Sequence, residues 1–99
     1  MALHFHPEAL EELIAEAAYY EGQAPGLGQR FVNEVEAATR IAIEFPEMGA
    51  PFKYGTRRVF PKKFPFSIVY RVQADATIVL AVAADARKPG YWRDRKRTD

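Results

Sequence analysis

The chain opens on a short alternation, Leu3-His4-Phe5-His6, in which apolar and polar residues take turns, and that period of two predicts a strand. Pro7 follows, and proline suits the first turn of a helix because its missing N–H would have no intrahelical partner there. From Leu10 the period changes. Leu10, Leu13, Ile14 and Ala17 fall at the i, i+3, i+4, i+7 spacing of one buried helical stripe, with Glu8, Glu11, Glu12 and Glu16 largely elsewhere. Glu8, Glu11 and Glu12 also lie near the positive end of that helix's dipole, and Gly22 is its predicted stop. After the connection Gln23 to Gly28, the residues Phe31, Val35, Ala38, Ala42 and Phe45 line one face of a second helix. This helix runs from Leu27 or Gly28 to Glu44 and is ended by Pro46. Two helices joined by so short a link are predicted to lie antiparallel as a hairpin.

The second half returns to strand patterns. Pro46 to Gly55 is predicted loop, Thr56–Phe60 a strand interrupted at Pro61, and Phe66–Val72 alternates Phe66, Ile68, Tyr70, Val72 against Ser67, Val69, Arg71. Thr77–Ala83 is rich in β-branched residues and follows the short turn Gln73-Ala74-Asp75-Ala76, which predicts an antiparallel hairpin. A basic tail covers about residues 86–99, broken at Pro89-Gly90, with Tyr91 and Trp92 as its large apolar side chains. The order strand, helix, helix, strand, strand, strand, tail predicts one α+β domain over residues 1–99. Its helical hairpin would pack on one face of a mostly antiparallel four-stranded sheet.

Composition narrows the function classes. With 99 residues the chain supports one modest core. It has no cysteine, which excludes disulfides, thiol nucleophiles and thiolate metal sites. No apolar run approaches about 18 residues and no basic-then-apolar leader opens the chain, so a cytoplasmic protein is expected, with no membrane partner. The net charge of +1 conceals an asymmetry. Residues 1–50 hold two basic and nine acidic residues, a charge of −7, whereas residues 51–99 hold twelve and four, a charge of +8. The basic half is where an anionic or acidic partner is expected to bind.

Its centre is RRVFPKKFPFSIVYRV, residues 57–72, which sets cations on and beside two strands. Together with EFPEMGAP after the helix pair and the late IVLAVAADARKPGYWRDR, this stretch resembles the RelE/ParE superfamily of toxins from type II toxin–antitoxin modules. The resemblance runs from roughly His4 to Arg95. It implies that one sheet face packs on the hairpin and that the other is open and concave. Phe66, Ile68, Tyr70 and Val72 would then face the helices. Ser67, Val69 and Arg71 would look outward, joined by Arg58 and Phe60, with Arg57 and Val59 opposite and Arg87 at the rim.

The same resemblance implies two modes of action. In the RelE branch, ribosome-bound mRNA is cut by attack of a 2′-hydroxyl, which needs a base, an acid and a cation for the phosphate charge. The corresponding catalytic candidates are Arg58, Lys62, Lys63, Arg87 and Tyr91. Phe60 stands where a second basic strand residue is expected and Ser67 where an arginine is expected, and a lysine or tyrosine base would need a large fall in pKa. In the ParE branch, DNA gyrase is blocked by protein binding without a catalytic set, and the departures at Phe60 and Ser67 favour that branch. A third outcome is a relic that binds antitoxin and harms nothing. In every case the implied partner is a cognate antitoxin, in a toxin–antitoxin hetero-oligomer of the kind associated with plasmid stabilisation. The contact candidates are Arg57, Arg58, Arg71, Arg87, Trp92 and Arg93, and no cofactor or metal is expected.

Each candidate also has a plainer reading. Arg57, Arg58 and Arg71 can simply decorate a solvated sheet face. Lys62 and Lys63, between two prolines, suit a soluble turn that discourages edge pairing. Arg87 can pair locally with Asp85, and Tyr91 and Trp92 suit packing of the tail on the sheet. His4 and His6 share a strand face without nearby ligands, and the RDRKR run from Arg93 to Arg97 is either a solvated end or a nucleic-acid contact.

Overall fold

The computed structural model describes residues 2–95. Strand β1 (Ala2–Phe5) leads into helix α1 (Pro7–Gln23), and helix α2 (Leu27–Glu44) returns antiparallel to it. Then come β2 (Ala50–Pro51), a 3-10 turn (Lys53–Gly55), β3 (Arg57–Val59), β4 (Phe66–Gln73) and β5 (Ala76–Ala84). The strands form one sheet in the order β1-β5-β4-β3-β2, with β1 parallel to β5 and the other pairs antiparallel. The α+β architecture is as predicted, but the sheet has five strands. The fifth is β2, whose two residues pair with Arg57 and Arg58 inside the segment expected to be loop. Two residues, one of them proline, carry no periodicity from which a strand is legible.

The helices cover one sheet face. Phe31, Val35, Ala38 and Ala42 of α2 meet Val59, Phe66, Ile68 and Tyr70, while Val79 and Val82 of β5 complete that core with Ala9 of α1. Phe66, Ile68 and Tyr70 thus face the helices as the alternation predicts, whereas Val72 is exposed because β4 runs on beyond its last partner in β3. Phe45, expected on the buried face of α2, is 55% exposed as the residue that caps its end.

Helix α1 departs from its predicted stripe. Leu10 and Ile14 are exposed, and the inward side carries Ala9, Leu13, Ala17 and Tyr20 with Glu12 on its flank. The larger apolar residues drew the pattern toward Leu10. Close approach to the sheet selects the small Ala9 instead.

The second sheet face is not open. Val69, Ala76, Ile78, Leu80, Ala81 and Ala83 form a second apolar cluster under Trp92, with Phe52 and Tyr91 packed against it. Ser67 and Val69, expected to look outward, are therefore buried beneath the chain's own tail. The reason is physical: this face is as apolar as the first and leaves water only if something covers it. The uninterrupted apolar run of β5 is the sequence signature of a strand buried on both faces. A bulge helps, since pairing steps from Val69↔Ala81 to Tyr70↔Val79 and leaves Leu80 without a partner in β4.

Candidate functional site

Neighbouring arginines on β3 take opposite roles because successive side chains of a strand point to opposite faces. Arg57 donates from Nη1 to the carbonyls of Gly49 at 2.8 Å and Glu47 at 3.1 Å, tying down the loop after α2. The Tyr70 hydroxyl assists by donating to the Pro46 carbonyl at 2.7 Å and accepting the Gly49 N–H at 3.2 Å. Arg58 turns to the second face, in register with Val69, its guanidinium carbon 4.0 Å from the Phe52 ring centre and 5.1 Å from that of Phe60. Its Nε is buried without a partner. The pairing of Arg58 with Phe60 on one face and Val59 on the other is as predicted.

The tail is held by Glu12. Strand β1 accompanies β5 only as far as Phe5↔Val79, so among the described residues the edge of β5 beyond that point has no neighbouring strand. Glu12 fills the gap by accepting the Val82 N–H at 3.0 Å, and Arg95 fills it by donating to the Leu80 carbonyl at 2.9 Å. The two then pair with each other through both Arg95 Nη atoms, at 3.0 and 3.1 Å, a fork geometry suited to arginine and carboxylate. The Tyr91 hydroxyl donates to Glu12 at 2.8 Å, and Arg87 Nη1 reaches the same carboxylate at 3.4 Å. The Arg87 guanidinium lies 3.5 Å from the Tyr91 ring centre. Burial, and then the hydrogen bond to Glu12, push the Tyr91 phenol well above its ordinary range. Asp85, the expected partner of Arg87, instead accepts from Ser67 Oγ at 3.4 Å.

These placements divide the sequence candidates. Arg58, Arg87, Tyr91 and Trp92 line a cleft of about 280 Å³ on the second face, whose walls also include Phe52, Phe60 and Asp85. Arg57 and Arg71 line a separate groove of about 680 Å³ at the end of α2, beside Phe45, Met48, Tyr70 and Val72. Arg71 donates to the Tyr54 carbonyl at 2.9 Å. Arg93 is exposed, its guanidinium 5.8 Å from the Tyr54 ring centre. Lys62 and Lys63 project from the β3–β4 turn and line neither cavity, so they are not brought to Arg58 and Arg87.

Two expectations need correction. Trp92 is 1% exposed, packed against Phe52 and Tyr54, so it belongs to the core under the tail and reaches the outside only as part of the cleft wall. The cations do not share one open surface either, being split between cleft, groove and turn. Lys96 and Arg97, the remainder of the RDRKR run, lie outside the described residues. Glu12 was missed because nothing in its local pattern sets it apart from the neighbouring acids of α1. His6 caps α1 by accepting the Glu8 N–H on Nδ1 at 3.1 Å. Among the described residues no helix is long and apolar enough to cross a membrane.

The family model described as "ParE toxin of type II toxin-antitoxin system, parDE" matches residues 3–89. The chain belongs to the ParE toxin family. Among solved structures it is similar to one titled "Chromosomal ParDE TA system from P. aeruginosa", with a TM-score of 0.75 and 22% identity over 85% of this chain and 95% of that one. That likeness shows a common fold. No curated protein matches the chain. The ParE match ends at Pro89, so Tyr91, Trp92 and Arg95, which fasten the tail, lie beyond it.

Proposed function

We propose that this ParE-family toxin arrests growth in the cytoplasm by binding DNA gyrase and is neutralised by a cognate antitoxin, with no chemical step of its own. The observation that carries the reading is the state of Tyr91. Its hydroxyl is spent on Glu12 and its phenol is pushed further from ionising, the opposite of what a base at neutral pH requires. Lys62 and Lys63 stand away from the cleft, and no histidine or lysine lines it among the described residues. A binding toxin needs surface only, and the groove at the end of α2 provides one with exposed Phe45, Met48 and Val72 beside Arg57 and Arg71. Arg71, Arg87 and Arg58 remain the cations proposed to meet acidic residues of the antitoxin.

The mRNA-cleaving alternative keeps one observation in its favour, the meeting of Arg58 and Arg87 in a single cleft. Induction in cells without antitoxin separates the readings. The binding reading expects loss of plasmid supercoiling and an unchanged map of mRNA 5′ ends, with Tyr91→Phe as toxic as the parent. New codon-phased 5′ ends abolished by Arg87→Ala would establish cleavage, and unimpaired growth at full expression would identify a relic.

A further inference from the structure

Among the described residues, Arg58 is the cation with a buried nitrogen that the fold leaves without an acceptor. Arg57 and Arg71 donate to backbone carbonyls, and Arg87 and Arg95 are shared with Glu12. Among the described residues Arg58 makes no hydrogen bond and no ion pair, and its Nε–H is buried without an acceptor. The Phe52 and Phe60 rings hold its guanidinium by cation–π contact, which engages the flat face of the group and leaves its N–H edge free. A buried donor with no acceptor destabilises a fold, and folds leave few of them. Arg58 also lines the cleft, through which an acceptor from outside can reach its guanidinium.

We infer that this cleft is a carboxylate-binding pocket, which takes one aspartate or glutamate side chain, flanked by apolar residues, from a protein partner. Three features select that ligand. The cavity, about 280 Å³, is at the small end of the roughly 300–1,000 Å³ of ligand clefts and has room for one side chain. Its walls include Phe52, Phe60, Val69 and Trp92, which favour an apolar surround for the incoming group. Asp85 lines the same cavity and repels any incoming anion, a dianionic phosphate about twice as strongly as a singly charged carboxylate. Arg87, 53% exposed and 3.4 Å from Glu12, is the second donor able to turn toward the same oxygens. The planar guanidinium provides the two parallel N–H groups that a carboxylate accepts.

The pocket rests on the antitoxin part of the proposed function and deepens it by giving the Arg58 contact its site and ligand. Its test uses neither gyrase nor growth, so its failure is distinguishable from failure of the gyrase reading. Two signals report on it directly, the Arg58 Nε–H resonance and the fluorescence of Trp92, the one tryptophan of the chain. The probes are the capped tripeptide acetyl-Leu-Glu-Leu-amide, its glutamine counterpart, inorganic phosphate and adenosine monophosphate, each titrated into the whole protein. The glutamate peptide is expected to shift the Arg58 Nε–H saturably and to bind about tenfold tighter than the glutamine peptide, an increment in the range of one charged hydrogen bond. Arg58→Gln is expected to remove that preference while the backbone spectrum is retained. If that variant fails to fold, the wild-type resonance still decides. Equal binding of the two peptides, an Arg58 signal unmoved by either, or a response to phosphate or the nucleotide in place of the glutamate peptide would each overturn the proposal.

Discussion

Glu12 accepts five hydrogen bonds from four residues, including one from the backbone of β5 and four from side chains of the tail. Its side chain is 14% exposed and that of Arg95 11%, so removing Glu12 takes the bidentate partner from a largely buried guanidinium, which keeps the exposed Glu8 at 3.2 Å and the Leu80 carbonyl. Glu12→Ala is therefore expected to destabilise the protein by about 3 kcal/mol. It should also free the tail, which urea unfolding followed by Trp92 emission would report as an earlier midpoint and a red-shifted native spectrum. Tyr91→Phe removes a single donor and is expected to cost about 1 kcal/mol. The pH dependence follows from the raised phenol: the folded state holds the proton more tightly, so the stabilisation is complete below the ordinary tyrosine pKa of about 10 and declines as pH rises beyond it. The stability gap between wild type and Tyr91→Phe should be constant near pH 8 and narrow above pH 10 in parallel denaturation curves. That Tyr91 and Trp92 would anchor the tail was legible, because two amphipathic aromatics after a Pro-Gly break have little other use. That Glu12 would receive them was not, since its partners lie far along the chain and local pattern carries no such information.

At the scale of elements, the two helices meet through a glycine. A methyl group on Gly28 would run into the backbone carbonyl of Ala17 and the side chain of Glu21, whose carboxylate accepts the N–H groups of Gly26 and Gly28 at 2.9 and 3.0 Å. Glu21 of α1 thereby caps α2, whose own N-cap, Gly26, provides no side-chain acceptor. Gly28→Ala is expected to pry the hairpin apart at a cost of about 2 kcal/mol, lowering the melting temperature by roughly 10 °C in a calorimetric scan. Both helices were legible from periodicity and from Pro7 and Pro46, although α1 runs through its predicted stop Gly22 to Gln23, and strands β3, β4 and β5 from alternation and turns. The facing of α1 was not. Leu10 and Ile14 outweigh Ala9 in any hydrophobic count, yet a close helix–sheet approach favours the smaller residue. The register change at Leu80 was equally invisible, because a bulge inside a continuous apolar run leaves the composition unchanged.

The whole molecule is a sheet covered twice, by helices on one face and by its own tail on the other. The first covering follows from the order of elements and matches the ParE family. The second rests on residues past the end of the family match, and it converts an expected open basic face into a narrow cleft and a separate groove. Of the five cations in RRVFPKKFPFSIVYRV, Arg57 and Arg71 fasten loops, Lys62 and Lys63 project from a turn, and Arg58 lies against Phe52 and Phe60 with its Nε buried and unpaired. The most direct measurement is the supercoiling of relaxed plasmid by purified DNA gyrase with increasing amounts of this protein. Dose-dependent loss of supercoiling, equal for wild type and Tyr91→Phe, is the predicted result. Undiminished supercoiling at stoichiometric excess, with cleavage of ribosome-bound mRNA by the same preparation, would contradict it.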